Sequence, residues 1–274
     1  MGIFLDKASL IALFLETLFY GVFLTLYLLT LLILLKKTGV QRILLIPVAT
    51  LLLCTTTAHL IVDFVRALEA FVFKTDSIDA NAYYSNFSSP LELAKIAIYV
   101  TQTTLADGLI VWRCYMIHDK SPLVAFPGCI VLLTNGAIGY YIVWSLSMTT
   151  AVSTTSDKCI TTFITLTMVI GVTCTTLIAW RIYRTRRFMP GGLGVFLPVL
   201  IVIVESGALY ATSALAFLLA FLLGSNGQYT ILDVIPPIVG IAFCLIVLQT
   251  HFHVGGKPPI EQPSEGPDIL IGLF

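Results

Sequence analysis

The stretch Leu10–Lys37, LIALFLETLFYGVFLTLYLLTLLILLKK, decides the fold. Between Leu10 and Leu35 its one formally charged residue is Glu16, and it then meets the pair Lys36 and Lys37. A helix needs about 20 apolar residues to cross the hydrocarbon core of a bilayer. This run exceeds that length. It is roughly twice as long as the apolar segment of a secretory signal and lacks a clear small-residue cleavage site, so it reads as an uncleaved first spanning helix.

Six more runs of the same kind follow. The predicted helices cover 8–35, 43–73, 91–117, 122–147, 160–183, 193–222 and 230–250. The chain is 58% hydrophobic and 11% charged, whereas a soluble domain carries about a quarter charged residues. The expected fold is an all-α membrane protein, a seven-transmembrane-helix bundle forming one domain over 1–250. The tail, 251–274, contains Pro258, Pro259, Pro263 and Pro267 and is expected to be disordered. Its apolar end, Ile269 to Phe274, has no explanation in the sequence. The lipid bilayer is the first partner implied, as plasma membrane or secretory-pathway membrane. A net charge of zero and the absence of a basic stripe point away from nucleic acid.

Basic residues set the expected orientation, because they accumulate on the cytoplasmic side. Lys36, Lys37 and Arg42 fill the first gap, Lys120 the third with Arg113 beside it, and Arg184, Arg186 and Arg187 the fifth with Arg181 adjoining. The even-numbered gaps hold little beyond Lys74 and Lys158. This places the N-terminus outside and the C-terminus in the cytoplasm. The sequon Asn86-Phe87-Ser88 falls in an outer gap and makes Asn86 a glycosylation candidate. The similar inner ends Trp112-Arg113-Cys114-Tyr115 and Trp180-Arg181-Ile182-Tyr183 read as interfacial anchors, with arginines snorkelling to phosphate.

Ionisable groups at membrane depth are functional candidates by default. Glu205 lies near the centre of the sixth run with no base at its depth. It is expected to hydrogen-bond to a neighbouring helix; a ligand contact and a proton-sensing switch are the alternatives. Asp107 lies roughly 5 Å to the cytoplasmic side of the third helix's centre, by helical rise, and is expected to share a polar interior with Glu205. Glu16 and His59 fall at similar depth on adjacent helices and are expected to pair. His59, Asp63 and Arg66 share a helix face by spacing. Depth counting puts Asp63 at the outer boundary and Arg66 and Glu69 at headgroup level. Asp63 and Arg66 therefore read as a solvated intrahelical pair, or else as the wall of an outward pocket. Gln102, Tyr210 and Asp233 complete a polar set, central to outer, that fits an outward-opening cavity or scattered interhelical hydrogen bonds. Pro236 and Pro237 are expected to kink or unwind the seventh helix. The run Ser206-Gly207-Ala208 permits close helix approach.

No metal site and no cofactor are expected. Cys54, Cys114, Cys129, Cys159, Cys174 and Cys244 are scattered without metal spacing and read as small packing residues. His251 and His253 form a weak HxH pair at the inner end of helix seven, and read as solvated histidines.

The stretches Tyr99 to Thr103 with Asp107 and Trp112-Arg113, then Val204-Glu205-Ser206-Gly207-Ala208-Leu209-Tyr210, then Asp233 to Gly240, resemble the seven-helix integral membrane proteins abundant in mushroom-forming fungi. The resemblance implies the topology and marks those polar positions; it implies no activity. In topology alone the chain is similar to G-protein-coupled receptors. It lacks their cysteine at the start of helix three, their Asp/Glu-Arg-Tyr motif and their Asn-Pro-x-x-Tyr motif.

The expected function is therefore that of a receptor-like membrane protein sensing a small or lipidic ligand through the polar residues named above. Arg184, Arg186 and Arg187 would offer a cytoplasmic partner a basic contact, and homo-oligomers are compatible with this. A secondary transporter or proton-coupled carrier using midplane carboxylates is the alternative. An intramembrane metal hydrolase would need a cluster of ligands around one metal, whereas His59 lies far in depth from His251 and His253. A retinal protein would need a lysine in helix seven. No enzymatic activity is expected.

Overall fold

The computed structural model describes residues 5–36, 40–73, 83–84, 86, 88–148, 154–187 and 193–254. Among these residues seven long helices follow one another: α1 (Leu5–Lys36), α2 (Val40–Leu68), α3 (Pro90–Ile117), α4 (Pro122–Met148), α5 (Thr154–Arg187), α6 (Leu193–Leu222) and α7 (Gly227–Val254). Among the described residues there is no strand. α2 passes directly into a π-helical segment, Glu69–Phe73, so the long second run is one rod with two windings. α5 starts earlier than its apolar run because Thr154 to Lys158 are polar yet helical. α7 continues unbroken through Pro236 and Pro237. The predicted tail lies outside the described residues, apart from 251–254.

Contacts at the helix ends fix the topology. Thr230 Oγ1 donates to the Ala8 carbonyl (3.1 Å), Ser88 Oγ donates to the Leu146 carbonyl (3.2 Å), and the Ser145 and Ser156 hydroxyls bond at 3.0 Å. The starts of α1, α3, α5 and α7 therefore share one face, the N-terminal face, with the end of α4. α7 packs on both α1 and α6, which closes the ring, while α3 touches α2, α4, α5 and α7.

Among the described residues, six of the helices are long and apolar enough to cross a membrane. α3 has comparable length but carries Glu92, Lys95, Asp107 and Arg113, all of them turned inward and buried. The outer surface is studded with large apolar side chains, among them Phe14, Leu32, Phe64, Leu133, Trp144 and Leu223. A soluble monomer rarely exposes so much contiguous apolar surface. Facing hydrocarbon, the same surface costs nothing, and the polar residues find partners inside. The chain is a multi-pass membrane protein by this inside-out distribution.

Glycines set the closest helix approaches. A Cβ on Gly240 of α7 would run into the ring of Phe23 on α1. One on Gly207 of α6 would lie 2.5 Å from Thr175 on α5, which accounts for the small-residue run there. Phe23 is itself buried, so its ring has little room to retreat. Gly240→Leu is expected to destabilise the bundle by about 1–3 kcal/mol through overpacking, and Phe23→Ala in the same chain to recover part of that loss. Thermal unfolding in mild detergent reads both; a Gly240→Leu protein as stable as the parent would contradict this packing.

Candidate functional site

Four helices bring charged side chains together beneath the N-terminal face. α1 supplies Glu16; α2 supplies His59, Asp63 and Arg66; α3 supplies Glu92 and Lys95; α7 supplies Asp233. None is more than 7% exposed. Lys95 Nζ lies 2.7 Å from Asp63 Oδ1 and 2.6 Å from Asp233 Oδ1, so one ammonium joins α2, α3 and α7. Arg66 pairs with Glu92 on α3 and lies 3.6 Å from Asp63 on its own helix. His59 Nδ1 meets Glu16 Oε1 at 2.7 Å, which adds α1.

Local sequence explains the placement. Ser89 caps α3 by accepting from the Glu92 amide (3.2 Å), and Pro90 occupies the first turn. Glu92 thereby sits where the helix dipole favours a carboxylate, with Lys95 one turn deeper on the same face. Spacings of four and three put His59, Asp63 and Arg66 along one face of α2. Tyr84, just before α3, lies under the Arg66 guanidinium, 5.2 Å from its ring centroid. Burial pushes the Tyr84 hydroxyl up to about 12. Tyr83 donates to Glu69 (2.9 Å), tying this connection to the π-helical end of α2.

Two cavities adjoin the network. One of about 20 Å³, room for a water, is lined by Asp63, Arg66, Lys95, Asp233 and Tyr84. The other, of about 270 Å³, opens among α3, α4, α5, α6 and α7 at the same face. Ile96, Tyr99, Phe163, Ile164 and Phe217 form apolar walls, while Asp157, Gln228, Glu92 and Tyr229 supply polar groups. Glu92 and Tyr229 line both cavities.

A second polar layer lies deeper. Asp107 is fully buried and accepts from Tyr210 Oη (3.1 Å) and Asn135 Nδ2 (3.4 Å); Asn135 also donates to Thr167 Oγ1 (2.8 Å). This knot joins α3, α4, α5 and α6. Between the layers, Gln102 Nε2 donates to Thr56 Oγ1 (2.9 Å) and to the Pro236 carbonyl (2.8 Å), a crosslink from α3 to α2 and α7.

The predicted site residues divide accordingly. Glu16 and His59 pair as expected, and Gln102 bridges helices. Asp233 joins the ion network, and Tyr210 meets Asp107. Glu205 does not meet Asp107. It lies on the exposed side of α6, because five residues at about 100° each turn it some 140° away from Tyr210. The interior beside it is lined instead by Ser206, Gly207 and Tyr210, around an apolar cavity of about 80 Å³. Asp63 and Arg66 are not a solvated pair: both are buried and bonded to other helices. Depth counting along α2 alone cannot register that α3 and α7 cover them.

Lys95 and Asn135 do not stand out in the sequence. The signal for Lys95 is a lone lysine one turn after a Ser-Pro-x-Glu helix start; Asn135 has none beyond being an amide in an apolar run. The two Trp-Arg ends also differ. Arg181 pairs with Asp119 at the periphery, whereas Arg113 is buried with its guanidinium 5.4 Å from the Phe243 ring centroid. Asn86 is exposed, and its side-chain oxygen accepts from the Ser88 amide (3.2 Å). Arg184 is exposed, while the side chains of Arg186 and Arg187 lie outside the described residues. All six cysteines are free thiols.

No protein-family model, curated protein or solved structure matches this chain. Its function has to be argued from the chemistry of the site.

Removing one partner of a buried ion pair strands the other's charge, at a cost of about 3–5 kcal/mol. Lys95→Met is expected to destabilise the protein by that order, whereas Glu205→Gln, on the exposed side of α6 and outside the ion network, is expected to cost much less. Unfolding monitored by tryptophan fluorescence compares them, and equal stabilities for the two variants would refute the placement of Lys95.

Proposed function

We propose that this protein is a receptor-like membrane protein with its N-terminal face outside. In this reading the cavity of about 270 Å³ binds a small amphiphile: an apolar chain with an amine head. The observation that carries the reading is that cavity's position, apolar along its walls and shared at Glu92 with the ion network. A mostly apolar pocket with a few convergent polar groups is the usual form of a small-molecule site. The carboxylates of Glu92 and Asp157 favour a cationic head over an anionic one. A head group pairing with Glu92 competes with Arg66, and so shifts a network that spans four helices. Differential binding of this kind is what a ligand needs to bias two conformations.

The basic gaps support the orientation. They place Arg184, Arg186 and Arg187 on the cytoplasmic side, available to a protein partner or anionic lipid, and Asn86 on the outer side for glycosylation. Kinship with the fungal seven-helix proteins belongs to the same proposal. The carrier reading draws on the ion network instead, because buried carboxylates beside Pro236 and Pro237 are the material of a proton pathway.

In lipid nanodiscs, a fluorescent long-chain amine is expected to bind saturably, and the matching fatty acid more weakly. Ile160→Trp, which fills the cavity from its wall, is expected to weaken amine binding by about tenfold or more, a loss of at least about 1.4 kcal/mol. Binding that ignores both the head group and Ile160→Trp would sink the receptor reading. Proton-driven uptake of the amine into proteoliposomes, lost in Asp233→Asn, would replace it with the carrier reading.

A further inference from the structure

The ion network sets four carboxyl groups, those of Glu16, Asp63, Glu92 and Asp233, against two permanent cations, Arg66 and Lys95. A buried carboxyl without a cation of its own holds a proton or a metal ion. Glu16, His59 and Asp63 each offer a ligand atom, and these three atoms lie within 4.8 Å of one another. His59 and Glu16 are fully buried and Asp63 is 7% exposed. His59 Nδ1 stands 2.7 Å from Glu16 Oε1 and 3.9 Å from Asp63 Oδ2. Lys95 takes Asp63 Oδ1, leaving Asp63 Oδ2 buried, aimed at the imidazole and without a hydrogen-bond donor; Glu16 Oε2 has none either.

We propose that Glu16, His59 and Asp63 form a binding site for a divalent transition-metal ion of the zinc class. His59 and Asp63, four residues apart on α2, present their side chains on one face, the arrangement used by helical metal-binding pairs. Glu16 closes the tripod from α1. One imidazole nitrogen and two carboxylate oxygens suit a four-coordinate borderline metal, with a fourth position left to a non-protein ligand. Calcium would demand six to eight oxygens, more than this corner supplies. Metal binding at this corner displaces whatever proton the carboxyls hold, so it strengthens as pH rises. The site pins α1 to α2 beside the Lys95 bridge. It does not depend on the cavity or on any ligand proposed for it.

The test uses the full-length protein, purified without a histidine tag, stripped of metal and titrated with Zn²⁺ alone. Bound zinc is measured by elemental mass spectrometry and its surroundings by X-ray absorption at the zinc edge. One zinc per chain is expected, in a shell of nitrogen and oxygen with the scattering signature of a single imidazole and no sulfur. Glu16→Gln and His59→Gln are each expected to weaken binding by about tenfold or more. The His251→Ala, His253→Ala double variant is expected to bind as the parent does. A parent protein that retains no zinc overturns the proposal. So does a shell containing sulfur or two imidazoles, which would place the ion at a cysteine or at the HxH pair. The absorption spectrum needs only the parent protein, so it tests the site even if the Glu16 and His59 variants do not fold.

Discussion

The structure depends on a buried ammonium group shared by three helices. Lys95 projects from α3 between Asp63 of α2 and Asp233 of α7, with both contacts below 3 Å. In a bilayer there is no hydrophobic drive between helices, because lipid tails are as apolar as leucine; packing and polar contacts must specify the bundle. A lysine on α3 that lost both carboxylates would be stranded, and Asp233 would be stranded with it. The pairing therefore fixes how three helices are rotated against one another. Arg66 with Glu92 and His59 with Glu16 extend that constraint to α1 and repeat it between α2 and α3.

Below this network, the rest of the interior falls into layers. Gln102 carries the polar linkage one step deeper, to Thr56 and the Pro236 carbonyl. Asp107, Asn135, Thr167 and Tyr210 then tie α4, α5 and α6 to α3. α3 contributes to every layer. Its buried charges and amides lower its hydropathy for that reason, and its length is the better guide to its role. The larger cavity lies beside the uppermost layer, so its contents and the ion network share Glu92.

Much of this is legible in the chain. Runs of 20 or more apolar residues announce spanning helices because backbone groups in hydrocarbon must be satisfied within the segment. Glu16 and His59 can be paired from depth alone, since adjacent antiparallel helices bring equal depths together. Rotation is not legible. Depth counting puts Glu205 near the middle of α6 but says nothing of its side, because α6 is apolar all round and offers no stripe to orient it. Asp63 and Arg66 read as solvated because their spacing on α2 satisfies them locally; nothing in α2 says that Lys95 and Glu92 lie opposite. Those partners come from a different helix, and a charge on one helix finds its complement only through packing.

The most direct measurement is a double-mutant cycle on Lys95→Met and Asp233→Asn, read as unfolding free energy in detergent. Residues in one buried network couple by about 0.5–3 kcal/mol. Coupling in that range is predicted, with Asp233→Asn costing much less once Lys95 is gone than in the parent protein. Strictly additive losses would mean that the two side chains do not meet, and the bundle would have to be held together some other way.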